Sequence, residues 1–150
     1  MGQYRCRFFT IKELVNPALL ARIGEETAWR IFDPRLLKLA DDIRRKYGPC
    51  TVNANGLVDC GLRDPLSATG AKYSMHKTGR ALDLHIRSIE LEFAGNRVGK
   101  AKAYNRVREE LLMLPQFDVL SFESNSKEYP GGIPWLHCDT GNRDNRLYTA

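Results

Sequence analysis

The sequence contains little that would direct it to a membrane or to a secretory pathway. Its first residues, MGQYRCRFFTIKELV, include no uninterrupted apolar run and no small-residue cleavage site of the kind that ends a signal peptide. No later stretch stays apolar for long enough to span a bilayer. We therefore expect a protein that is made in the cytoplasm without a signal peptide and that does not insert into a membrane.

Cysteine and histidine are also scarce, with four cysteines and three histidines in 150 residues. Cys6, Cys50, Cys60 and Cys138 form no C-x-x-C pair, which argues against a zinc site built from thiolates and against a redox motif. We expect all four cysteines to be reduced, although Cys50 and Cys60 could meet across a hairpin.

Internal repeats, low-complexity tracts and linker-like segments are absent as well. A chain of this length can bury a sizeable core without the help of disulfides or a metal. We therefore predict a single domain over residues 1–150, with N-terminal helices at about 10–48 and the core of the domain at about 51–143.

Charge is plentiful, and the formal net charge of +5 favours an anionic partner such as a nucleic acid or a cell-wall polymer. The sequence has no recognition-helix signature and no run of aromatic residues between basic ones. We therefore do not expect nucleic acid to be the partner.

Capping residues and apolar periodicity predict four helices. Three helix starts are indicated by pairs of residues that suit the first helical turn: Thr10 with Glu13, Asn16 with Pro17, and Asp33 with Pro34. The second helix would run toward Gly24, and the third would end at Gly48. A fourth amphipathic helix carries Tyr104 to Leu114 and stops at Pro115, with Arg106, Arg108, Glu109 and Glu110 mostly on its exposed side.

Alternating residues and turn formers predict the strands and loops of the remainder. The segment TVNAN at 51–55 resembles a strand, and residues 56–70 resemble a long loop. Residues 117–123 and 134–140 predict a hairpin whose strands are joined by a long loop, and residues 141–150 are expected to be irregular.

Two of these regions carry potential metal ligands on matching faces. His76 precedes a glycine turn at Gly79, and alternation in ALDLHI places Asp83 and His85 opposite the apolar residues. In PWLHCDT the same period places Trp135, His137 and Asp139 on one face, with Cys138 on the other.

If these two strands are neighbours, one ion can be reached by three side chains, His76, Asp83 and His137. Two imidazoles and one carboxylate, with a fourth position left for water, are typical of catalytic zinc sites. The alternative at this point is a hydrogen-bonded His–Asp pair that holds no metal.

The motif SMHKTGRALD, followed about fifty residues later by WLHCD, resembles a family of zinc peptidases. This group contains D-Ala-D-Ala carboxypeptidases, the L-alanyl-D-glutamate endopeptidases of phage endolysins, and the hedgehog signalling domain. The resemblance implies a small α+β domain with a central antiparallel sheet flanked by helices, and zinc held by His76, Asp83 and His137. It further implies hydrolysis of a peptidoglycan stem-peptide bond, in a phage-encoded protein that serves lysis or wall penetration.

The sequence departs from the best-known members of this family at the general base. Those members carry a glutamate a few residues before the last histidine, where this chain has Ile133, Pro134 and Trp135. Two carboxylates remain as candidates. Glu123 faces away from the core in FDVLSFE, although it can also be an ordinary residue at a strand end. Asp139 shares a face with His137, and can instead orient that ligand.

Four further residues are candidates for binding the substrate. The resemblance suggests that Arg63 contacts the substrate or braces the site, and a guanidinium suits the carboxylate of a stem peptide. His85 can contact the substrate or be a hydrogen-bonded histidine of the sheet. Ser74 can form a hydrogen bond with the turn or with the substrate. Trp135 can line the pocket or belong to the core.

The expected partners are a bacterial peptidoglycan peptide and phage virion proteins. The alternative to an enzyme is a non-catalytic zinc-containing module for binding or for virion structure.

Overall fold

The computed structural model describes residues 3–150 and has an α+β architecture built around one sheet. The helices are α1 (Ile11–Leu14), α2 (Pro17–Ile23), α3 (Glu25–Ile31), α4 (Pro34–Tyr47), α5 (Arg87–Glu92) and α6 (Arg97–Leu112), with short 3-10 turns at Met75–Thr78 and Pro115–Phe117. The strands are β1 (Cys50–Thr51), β2 (Ala81–Ile86), β3 (Ser121–Asn125), β4 (Leu136–Asp139) and β5 (Leu147–Thr149). They form a five-stranded sheet in the order β1-β2-β4-β3-β5, antiparallel except for the β3–β5 pair.

The predicted helix starts are confirmed by the contacts of their capping residues. The Thr10 N–H donates to the Glu13 carboxylate at 3.0 Å at the start of α1. The Asn16 side chain accepts from the first backbone N–H groups of α2, and Asp33 accepts from the Arg35 N–H at the start of α4. Helix α3 follows α2 directly after Gly24 and was not predicted.

One face of the sheet is covered by helices and forms the core. Helices α4 and α6 contribute apolar side chains that pack against the apolar residues of β2, β3 and β4. Leu82 and Leu84 of β2 and Cys138 of β4 are fully buried on this side, which confirms the predicted alternation. The opposite face therefore carries the polar residues Asp83, His85, His137 and Asp139.

Three predicted boundaries are wrong. The strand predicted at 51–55 reaches only from Cys50 to Thr51, because the Asn53 side chain bonds to the Val15 carbonyl at 3.1 Å and the Cys60 N–H at 3.0 Å and turns the chain away from the sheet. The strand predicted from 117 begins at Ser121, because Pro115 opens a 3-10 turn. Of residues 141–150, which are predicted to be irregular, Leu147–Thr149 instead form β5, which pairs with β3.

Arg108 is also placed differently from the prediction, since it is 1% exposed rather than solvated. Its guanidinium donates to the carbonyls of Trp135 and Ile133, at 2.8 and 3.2 Å, and to the Asn105 side chain. Arg108 thus braces the segment that leads into β4.

Among residues 3–150, none of the helices combines the length and the apolar character that a membrane crossing requires. The four cysteines are free thiols, so Cys50 and Cys60 do not pair.

Gly79 ends the 3-10 turn that carries His76, in a left-handed conformation with φ of +70°. A Cβ at this position would lie 2.7 Å from the Ile31 carbonyl oxygen and 2.9 Å from the Phe32 Cα. Both the positive φ and the close packing therefore require glycine at this position.

We predict that Gly79→Ala lowers the free energy of unfolding by about 2–4 kcal/mol, because it combines left-handed strain with a steric clash. Urea denaturation measures this change. Gly131→Ala is the matched control, since Gly131 has no neighbour within 4 Å of an added Cβ and no positive φ. Equal stability of the two variants would contradict the packing described here.

Candidate metal centre

Three separate elements deliver the potential ligands to one point. His76 lies in the 3-10 turn Met75–Thr78, where the Ser74 side chain accepts from the His76 N–H at 3.3 Å. Asp83 is in the middle of β2, and the antiparallel register places it directly opposite His137 of β4. Cross-strand partners lie close enough for their side chains to touch on the same face.

The three side chains form a buried cluster that can hold a metal ion. One ligand atom from each of His76, Asp83 and His137 lies within 4.8 Å of the others. The Asp83 Oδ1 atom is 2.9 Å from the His137 Nδ1 and 3.4 Å from the His76 Nε2. None of the three residues is more than 8% exposed.

Outer contacts fix which nitrogen of each imidazole faces the centre. The His76 Nδ1 lies 3.0 Å from the Gly61 carbonyl oxygen, which can only accept, so this nitrogen carries hydrogen and Nε2 is directed at Asp83. The His137 Nε2 lies 3.0 Å from Asp139 and donates to it, so Nδ1 faces Asp83. Metal-binding histidines usually have such a partner on the outer nitrogen, so the cluster fits a metal.

The charges of the cluster stabilise one another. Burial opposes ionisation of Asp83, but the two imidazoles hold the pKa of this carboxyl well below its usual range. Burial alone would lower the pKa of His137, but hydrogen bonds to Asp139 and Asp83 raise that pKa to about 9. Without a metal, His137 therefore carries an extra proton at neutral pH.

Asp139 lies behind His137 and its acceptor positions are occupied. Its carboxylate is fully buried and accepts from the His137 ring, the Gly141 N–H and the Tyr148 hydroxyl. Arg143 adds an ion pair at 3.6 Å. This environment suits a residue that orients a ligand more than one that exchanges protons with substrate.

Glu123 differs from Asp139 in both exposure and partners. It lines the cavity in front of the cluster, and no hydrogen bond or ion pair joins its carboxylate to another residue of the described chain. Burial raises its pKa above the usual value, against the opposing effect of His137. Glu123 is therefore a half-buried carboxylate that is free to accept a proton.

The cavity at the cluster has a volume of about 500 Å³, and Arg63, Ser74 and Trp135 also line it. The Arg63 Nη2 lies 3.7 Å from the outer oxygen of Asp83, and its Nε donates to the Asp59 carbonyl at 2.7 Å. A smaller neighbouring cavity shares Arg63, Asp83 and Trp135 with the first. These three residues therefore form a wall that both cavities have in common.

Like Asp139, His85 is a predicted site residue that does not line the main cavity. It borders the smaller cavity, and its Nε2 lies 3.9 Å from the Cys60 thiol. Burial lowers the pKa of His85, which favours the neutral ring.

Tyr148 belongs to the site and was missed by sequence reasoning. Its ring lines the cavity, its hydroxyl donates to Asp139, and the β3–β5 register places it beside Glu123. The only sequence signal for it is the short β-prone triplet Leu147–Thr149, which is too brief to predict a strand.

Comparisons of this chain with protein-family models, with curated proteins and with solved structures find no match.

We predict that the protein binds one Zn²⁺ ion per chain and that His137→Gln abolishes this binding, because the variant lacks the imidazole at the centre. Equilibrium dialysis followed by metal analysis measures the stoichiometry. His85→Gln is the matched control and should bind zinc as the native chain does. Loss of binding in His85→Gln, or retention in His137→Gln, would contradict the ligand assignment.

We also predict that zinc affinity rises by about tenfold per pH unit between pH 7 and pH 9 and then levels off, because a metal must displace the proton of His137. Because the pKa of His137 is raised, the competing proton is bound to this ring below about pH 9 and is lost above it. Zinc affinity therefore increases as the pH rises toward 9. Competition with a chelator of known pH dependence measures the slope. An affinity that is constant from pH 7 to pH 9 would show that His137 binds no competing proton.

Proposed function

We propose that this protein is a zinc-dependent peptidase that hydrolyses stem-peptide bonds of bacterial peptidoglycan. The observation that supports this best is the open cavity in which the buried His76–Asp83–His137 cluster lies beside the unpaired carboxylate of Glu123. A cluster that only stabilised the fold would need neither the cavity nor the free carboxylate.

The donor set favours zinc over harder cations. Two imidazoles and one carboxylate suit zinc, whereas calcium and magnesium prefer sites made of oxygen ligands. When bound, zinc supplies Lewis acidity that polarises a carbonyl group and lowers the pKa of water. Three protein ligands leave a coordination position free, which is the pattern of catalytic zinc sites.

In this proposal Glu123 is the general base and Asp139 is a positioning residue. Glu123 accepts a proton from the attacking water and passes it to the leaving amine, and its raised pKa is closer to neutrality than that of an ordinary glutamate. Asp139 keeps the His137 ring in place through Nε2, with Tyr148 holding Asp139 from the other side. Of the two candidate bases named from the sequence, the contacts therefore favour Glu123.

Arg63 and Trp135 are suited to hold the substrate. Arg63 presents a guanidinium to the cavity beside Asp83, where it can bind a peptide carboxylate or a polarised carbonyl oxygen. Trp135 offers an apolar wall on the boundary of the two cavities, so an extended peptide can occupy both. Ser74 caps the turn of His76 and contributes mainly to its position.

The substrate class comes from the sequence motifs rather than from the cavity alone. SMHKTGRALD and WLHCD resemble peptidases of cell-wall peptides, and the net positive charge suits a wall rich in anionic polymers. A role in phage lysis or in wall penetration by a virion belongs to the same proposal.

We predict that Glu123→Gln lowers the rate of amino-group release from purified peptidoglycan by about 10²–10⁴-fold, because the amide cannot accept a proton. Zinc binding should remain, since Glu123 is outside the ligand set. Glu128→Gln, which changes an exposed glutamate of the loop before β4, is the matched control and should keep native activity.

Two outcomes distinguish the alternatives. Native-level activity in Glu123→Gln with zinc retained would remove Glu123 as the base. Background activity of the native chain, equal to that of His137→Ala, would instead indicate a non-catalytic zinc-containing module for binding or for virion structure.

A further inference from the structure

A third cavity, away from the His76–Asp83–His137 cluster, is lined by four arginines. It has a volume of about 480 Å³ and lies at the end of the sheet where β3 begins and β4 ends. Its guanidinium groups belong to Arg35, Arg80, Arg143 and Arg146. Asp118, at the rim, is the only carboxylate among the described residues that line this arginine cavity.

Each of these arginines is anchored by part of its guanidinium group. Arg146 donates through Nε and Nη2 to the carbonyls of Leu120 and Phe117, both at 2.8 Å. Arg80 donates to the Thr140 carbonyl through its Nη2 group. These acceptors are neutral carbonyls, so these bonds fix the side chains without cancelling their charges. Arg146 also lies 3.7 Å from the exposed Asp118 through Nη1, and this ion pair offsets part of the positive charge of the cavity.

The other two arginines are held by aspartates that do not line the cavity. Arg35 bonds to Asp33 through Nε and Nη2, at 3.2 and 2.8 Å. Arg143 lies 3.6 Å from Asp139, with its guanidinium carbon 3.8 Å from the centroid of the Tyr148 ring. In each case at least one Nη group is left for a further acceptor, because a guanidinium has five N–H donors.

We propose that the arginine cavity binds the phosphodiester groups of an anionic polyol-phosphate polymer of the cell wall. Arginine suits phosphate because its planar, permanently charged group donates two parallel hydrogen bonds. Anchored side chains lose little conformational freedom on binding, which favours affinity. The site is open enough for a chain, since the side chains of Arg35 and Arg143 are 58% and 38% exposed.

The residues that line the cavity argue against a nucleic acid as its ligand. Among the described residues, no aromatic side chain lines it, so it has no platform on which nucleic-acid bases could stack. The choice of a wall polymer rests on the proposed function, whereas the phosphate chemistry does not.

Arg143 connects the arginine cavity to the metal centre, because it lines both cavities. A polymer bound in the arginine cavity would therefore hold the wall beside the cluster. The cavity would in this way serve as a wall-binding site within the same domain.

The test measures binding of peptide-free poly(glycerol phosphate) by isothermal titration calorimetry, so it does not depend on hydrolysis. Arg35→Gln removes an exposed guanidinium and should weaken binding by about threefold to fivefold. Arg35→Gln combined with Arg146→Gln should weaken binding by more than about tenfold. Arg106→Gln, on the exposed side of α6, is the matched control for the loss of one positive charge and should bind within about twofold of the native chain.

Several results would overturn the proposal. One is that the native chain fails to bind the polymer, and another is that Arg35→Gln and Arg106→Gln weaken polymer binding equally. A third is that single-stranded DNA binds more tightly than the polymer at equal phosphate concentration. If inorganic phosphate bound the cavity as strongly as the polymer does, the cavity would be a site for free phosphate. This result would also overturn the polymer assignment. If the double variant does not fold, the comparison of Arg35→Gln with Arg106→Gln still decides whether the arginine cavity binds the polymer.

Discussion

The antiparallel register between β2 and β4 is the constraint on which the site depends. It pairs Asp83 with His137 and Leu82 with Cys138, so one face of the two strands is polar while the other is packed in the core. Because side chains alternate along a strand, a slip by one residue would turn Asp83 toward the helices and bring leucines to the cavity. The buried apolar residues therefore fix the register, and the register brings the two central ligands together.

Buried charge is the second constraint, and the outer contacts satisfy it. An isolated carboxylate at the depth of Asp83 would be costly to bury, but two imidazoles, one from the 3-10 turn and one from β4, lie within 3.4 Å of it and stabilise its charged form. The Gly61 carbonyl and Asp139 hold the outer nitrogens of these rings, and Tyr148 holds Asp139. The proton on His137 occupies the place that a metal would take, so metal binding and protonation are alternatives at this cluster.

The parts that the sequence predicted are those encoded by neighbouring residues. Capping pairs located α1, α2 and α4, and the period-two alternation placed Asp83 and His137 on matching faces. Two of the parts that were missed depend on distant contacts. Strand β5 exists through its pairing with β3, and Arg108 is buried because the carbonyls before β4 accept its hydrogens. His85 shares the face of Asp83, but its position one pair along the strand directs it to the adjacent cavity, which alternation alone cannot distinguish.

The central claim, that His76, Asp83 and His137 form an open catalytic zinc site, is tested most directly by a crystal structure of the zinc-loaded protein with anomalous scattering at the zinc edge. The predicted result is one zinc ion bound by the two imidazoles through His76 Nε2 and His137 Nδ1, with Asp83 and a water completing the shell and Glu123 within hydrogen-bond distance of that water. Zinc bound elsewhere, or closed in by a fourth protein ligand so that no water reaches it, would contradict the claim.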